Sequence, residues 1–125
     1  MPIATTVYED AHLIDLADYQ ASKGNRIALF YGDTRVGTVY ADTTWGTSAA
    51  VTEGGVRLGR KPGSTVTINV GASVVPNGTI IDRYGVYNGT TLLRKVGLNI
   101  AAVVNDGSIA FSVDVTPVIK VGPKA

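Results

Sequence analysis

Asn88-Gly89, set between two apolar β-rich runs, constrains this chain more than any other pair of residues. The stretch around it, residues 78–117, reads GTIIDRYGVYNGTTLLRKVGLNIAAVVNDGSIAFSVDVTP. It holds three such runs, jointed at Asn88-Gly89 and at Asn105-Asp106-Gly107. Residues 79–87 and 90–96 meet across the Asn-Gly pair, the strongest short signal for a type I′ hairpin. Both central residues of that turn need φ > 0, which Asn tolerates and Gly adopts freely. Residues 108–115 then alternate, with Ile109, Phe111, Val113 and Val115 on one side and Ser108, Ala110, Ser112 and Asp114 on the other. That pattern predicts a strand with one dry and one wet face. The C-terminal half is therefore expected to form an antiparallel sheet.

Upstream, residues 9–21 (EDAHLIDLADYQA) place Ala11, Leu13, Ile14, Leu16 and Ala17 at helical spacing, with Glu9 and Asp10 where the dipole favours acid. Lys23-Gly24-Asn25 reads as the stop. Residues 26–31 (RIALFY) predict a central strand buried on both faces, Gly32-Asp33-Thr34 a turn, and residues 35–41 a returning strand. Residues 42–63 carry many glycines and one tryptophan, and predict a loop with one irregular strand around residues 56–58. Residues 65–70 (TVTINV) alternate, and residues 118–121 (VIKV) predict a last short strand. Roughly seven or eight short strands at spacings of about 8–12 residues imply a mostly β fold. The expected fold is an antiparallel β-sandwich, jelly-roll-like, with one short N-terminal helix. Residues 1–8 are expected to be an extended arm, 9–121 a single domain and 122–125 a tail.

Charge is where composition narrows function. Net charge is +1 and the pI about 8.0, so no global field recruits nucleic acid or an anionic membrane. Charged residues make up 17% of the 125, against about a quarter in ordinary domains, and there are 15 glycines. Low charge with many small residues suits a chain that covers part of its surface with neighbours. Cysteine is absent, which removes disulfides, thiolate nucleophiles and cysteine metal sites. The opening MPIATTVYED has neither a basic nor an apolar signal region, so no secretory leader is expected. No run approaches the ~20 apolar residues of a membrane-spanning helix.

Candidate chemistry is sparse. His12 is the one histidine, and Glu-Asp-Ala-His is no metal signature; it reads as a solvated helix-flank residue. No two of the ten carboxylates are spaced as an acid–base pair, and Asp82 and Asp114 are expected to pair with Arg83 or Lys120 across strands. Arg57, Arg60 and Lys61 form the densest basic cluster, read either as a grip on an anionic partner or as a charged guard on a sheet edge. Gly54-Gly55 lacks the Gly-Lys-Ser/Thr of a phosphate loop. Asn77-Gly78-Thr79 and Asn88-Gly89-Thr90 match the glycosylation sequon, but tight turns want the same residues. Trp45, Tyr40, Tyr84 and Tyr87 offer a sugar-stacking platform, against the commoner use of aromatics in cores and subunit contacts. Catalytic, cofactor and metal residues are expected to be none; Tyr8, Trp45, Arg57, Arg60 and Lys61 are the expected protein contacts.

A short helix precedes residues 26–30 (RIALF); a Gly-rich middle leads to Gly78-Thr79-Ile80, Tyr84-Gly85-Val86-Tyr87 and Thr91-Leu92-Leu93, then an Asn-Asp-Gly turn before a closing strand. In that order, across residues 9–121, the chain resembles a family of small tailed-bacteriophage virion proteins described as tail-fibre or collar adaptors. That family shares a helix, a VALF strand, a GIYD…G…LL hairpin and a closing strand pair. Two departures stand out: the segment 32–35 is short, and the chain after Asn99 runs longer before its last turn. The resemblance implies a non-enzymatic structural protein of the virion, made in the host cytoplasm, with no cofactor. Its partners would be other virion proteins and copies of itself, without nucleic-acid specificity or membrane. A capsid cement or decoration protein is the alternative, and a carbohydrate-binding module a further one.

Overall fold

The structure, a computed structural model, describes residues 8–122. The expected N-terminal arm, apart from Tyr8, and the tail beyond Gly122 lie outside the described residues. The chain is mostly β, with one helix and antiparallel sheets packed as a β-sandwich-like fold. The helix α1 spans Asp10–Lys23, and the strands are β1 (Arg26–Tyr31), β2 (Thr34–Arg35), β3 (Ala41–Asp42), β4 (Ala49–Glu53), β5 (Val56–Pro62), β6 (Val66–Val70), β7 (Ile80–Asn88), β8 (Thr91–Val103), β9 (Phe111–Val115) and β10 (Val118–Val121).

One layer runs β2-β1-β7-β8, with β3 also on β1. RIALFY is the central strand its composition predicts: Ile27 and Leu29 enter the main core, while Ala28 and Phe30 form a second cluster with Tyr87 on the opposite face. Phe30 and Tyr87 stack with ring centroids 6.4 Å apart, over a backbone kept bare by Gly85, where a Cβ would strike the Phe30 ring. The main core joins Ile27, Leu29, Ile81, Tyr84 and Val86 of this layer to Val66, Ile68, Val70 and Val115 of β6 and β9. The opposing layer is one bent ribbon. The β10-β5-β4 sheet continues into the β6-β9 pair, and Gly63 N–H donates to the Pro117 carbonyl at the bend (2.8 Å).

Several expectations are corrected. Residues 35–41 do not form a strand; only the pieces at β2 and β3 pair, and Val36 turns into the core between them. Residues 42–63 are not a loop around one irregular strand, because β4 and β5 make a regular hairpin in which Glu53 faces Val56. Its turn is Gly54-Gly55, both at positive φ (56° and 78°), as a type I′ turn requires. The β7–β8 hairpin forms, but Asn88 pairs with Thr91, so Gly89-Thr90 is the turn. Gly89 has φ of 61° and Thr90 is not at positive φ, which is the II′ pattern with glycine first. A bulge absorbs the one-residue slip: Val86 faces Arg94, but Tyr87 faces Leu92.

The C-terminal half is also not a single sheet. β8 runs on to Val103 with an irregularity opposite Asp82, and β9 leaves β8 to pair with β6, Val66 facing Val115. Asn105-Asp106-Gly107 is a linker between sheets, and Ile109 is exposed rather than part of the dry face. From Phe111 to Val115 the expected alternation holds. In α1, Leu13 and Ala17 are buried while Ala11 is exposed.

Candidate functional site

The basic cluster on β5 is split by strand alternation. Arg57 and Lys61 point to the face that carries α1, and Arg60 to the other. Arg57 donates to both oxygens of Asp10 (Nε at 2.9 Å, Nη2 at 2.6 Å), and Lys61 reaches Asp18 at 2.8 Å. Asp10 and Asp18 lie about 12 Å apart along the helix; Arg57 and Lys61 lie about 13 Å apart along the strand. The helix therefore lies along β5, in the same direction, clamped at its first residue and again past its middle. Between the clamps is Gly59, whose missing side chain lets the backbone of Leu13 rest on the strand. The guanidinium of Arg57 holds the Asp10 carboxyl below its ordinary value, and the Lys61 ammonium, helped by the Ser48 hydroxyl, does the same for Asp18. Arg60 pairs with Glu53 at 3.8 Å, and Glu53 also holds Lys120 at 2.7 Å.

The remaining expected contacts are likewise engaged within the chain. Trp45 bridges to Gly63, packs its ring on the core and donates its indole N–H to the Gly24 carbonyl (3.1 Å). Tyr8 is half-buried beside His12, with ring centroids 5.5 Å apart. The four aromatics proposed for a sugar platform are dispersed. Tyr84 is in the main core, Tyr87 in the second cluster, and Tyr40 lies outside under the Arg26 guanidinium (3.8 Å). Asp82 accepts from the Gly32 amide and Asp114 from the Thr67 hydroxyl, in place of the cross-strand ion pairs expected for them. Among the described residues, no three of the His, Cys, Asp and Glu side chains gather as a metal-holding group.

Two features that sequence reasoning missed are more open. The first is the free side of β8. Among the described residues its one strand partner is β7, and its ends carry exposed Leu92, Leu93 and Val103, with exposed Ile80 paired to Val103. The second is a cleft of about 560 Å³ between β8 and the β9–β10 corner, walled by Val96, Leu98, Val115 and Val118. Tyr84 pins that corner: Val118 N–H donates to its hydroxyl at 3.1 Å. Arg94 also lines the cleft. A Leu-Leu-Arg-Lys-Val run signals a strand, and nothing in it announces that Arg94 faces residues some twenty further along the chain. No family model, curated protein or solved structure matches this chain.

Proposed function

We propose that this chain is a non-enzymatic structural protein of a tailed-bacteriophage virion, an adaptor at the tail, neck or fibre base that assembles through contacts between copies. The observation that carries the reading is the free side of β8. A thirteen-residue strand with one partner among the described residues and exposed apolar groups at both ends presents a row of backbone donors and acceptors to a neighbour. The bulge at Leu93 and the irregularity opposite Asp82 break that edge into short straight pieces. Pieces of that kind favour one register over open-ended stacking. The resemblance of the helix, the RIALF strand and the hairpin to small virion proteins supports the placement in a phage particle.

Electron microscopy of purified particles tests it, together with light scattering of the isolated chain across concentration. Density for this fold in a ring at the neck or fibre base is expected, with β8 at the contact between copies. Val103→Glu should disperse the assembly by placing a charge in that contact. Density on the head shell would transfer the same edge to a capsid decoration role. Absence from the particle, together with a monomer at every concentration, would end the reading.

A further inference from the structure

The cleft beside β8 contains a cation left without a counter-charge among the described residues. Of its two basic residues, Lys120 is held by Glu53 at 2.7 Å, whereas Arg94 makes none of the ion pairs found among the described residues. The Arg94 Nη2 is shut off from solvent with no hydrogen-bond partner there. Asp114, the one acid among the described residues lining the cleft, accepts from Thr67 at 2.6 Å, and Thr116 shares its hydroxyl with Thr65 at 2.7 Å. Burial pulls the guanidinium below its ordinary value, the direction expected for a cation short of a partner. A half-buried guanidinium in this state is costly to the fold, and an arriving anion recovers that cost through a paired, charge-assisted contact.

We propose that this cleft is a carboxylate-binding site, in which Arg94 grips the carboxylate of a ligand whose aliphatic body lies on Val96, Leu98 and Val118. Arg94 turns its planar fork toward the cleft on binding, bringing Nη2 onto the ligand. The fork favours a planar carboxylate with two acceptor oxygens. The aliphatic walls favour a carbon stem behind it. Both a free short-chain carboxylic acid and an acidic side chain of a neighbouring protein have this chemistry. The proposal is independent of the virion reading, since it concerns the cleft of the isolated domain.

The test is an amide NMR titration of the full chain with two probes. One is hexanoate; the other is an end-blocked tetrapeptide bearing a single glutamate, compared with its glutamine counterpart. Shifts at Gly97 and Thr116 are expected, with millimolar affinity for hexanoate. Tighter binding of the glutamate peptide, lost with glutamine, would identify the source as a protein; hexanoate binding alone would identify a small acid. Arg94→Gln should weaken either ligand about 10- to 100-fold, the worth of a charged hydrogen bond, while its melting temperature stays level or rises. Arg94→Lys keeps the charge without the fork, and should bind more weakly than the parent. Three results would overturn the proposal: no shifts at the cleft with either probe, equal binding by Arg94→Gln, or matched drops in melting temperature for Arg94→Gln and Asp114→Asn. The last would mean that Arg94 and Asp114 pair with each other in solution.

Discussion

The two layers of this fold hold their neighbours by different physics. The five-stranded layer meets the β6–β9 pair through Ile27, Leu29, Ile81 and Val86, closed by Ile68 and Val70 from the other side, all of them almost wholly buried. The β4–β5–β10 sheet meets α1 through Leu13, Ala17, one bare glycine and two ion pairs whose carboxylates are exposed. The first contact depends on apolar area removed from water, which salt and pH barely touch. The second depends on close backbone approach plus exposed charge pairs, which salt and acid both weaken. A chain of this size can therefore keep its sandwich while loosening its helix, and the helix is where its stability is expected to be lowest.

The largest expected effect breaks the first contact. Ile81→Ala empties a site at the centre of the main core and should cost about 2–5 kcal/mol, seen as a lower midpoint in urea with the whole chain unfolding together. Next comes the second contact. Gly59→Ala drives a methyl group into the Leu13 carbonyl, which is backbone and cannot swing aside. A cost of about 1–3 kcal/mol follows. Its signature should be local: faster amide exchange along α1 and a changed Trp45 emission, because the Trp45 indole is bonded to the carbonyl just past the helix. If Gly59→Ala instead lowers exchange protection uniformly, as Ile81→Ala should, the two contacts belong to one cooperative unit and the contrast fails.

Legibility in the sequence divides along the same line. RIALFY and the alternation from Phe111 could be read because burial there follows the strand period, on both faces or on one. The hairpin at Asn88-Gly89 could be read too, but its turn slipped by one residue because glycine at the first central position satisfies II′ without help from Asn88. β4 is hard to read because its residues are small, with Ala49 and Thr52 exposed and Ala50 and Val51 only partly buried, so no alternation marks it. The usable signal was Gly54-Gly55 between two runs, a pair that suits a type I′ turn as well as Asn-Gly does. The pairing of β9 with β6 and the cleft at Arg94 depend on contacts between distant parts of the chain, which local periodicity does not encode. The β5 basic cluster is visible as charge; its division between the helix-bearing face and the opposite face follows from strand alternation around Gly59, and because β5 is the central strand between β10 and β4 the cluster guards no sheet edge.

The smallest expected effect is the acid response of the helix contact, and its sign is fixed. Asp10 and Asp18 have folded-state carboxyl values below the ordinary one, through hydrogen bonds from Arg57 and from Lys61 with Ser48. Each group binds protons less readily folded than unfolded, so its contribution is present above about pH 4. It fades as pH falls through the lowered folded values. Asp33 shifts the same way through Lys95, but it ties a turn of the five-stranded layer and not its buried face. Acidification should therefore raise amide exchange in α1 and shift Trp45 emission before the sandwich core responds, and added salt should blunt the effect. The double variant Asp10→Asn, Asp18→Asn should begin with the looser helix and lose most of the acid dependence. If that variant titrates like the parent, the clamp at Arg57 and Lys61 is geometry without energetic weight, and Leu13 on Gly59 alone holds the helix.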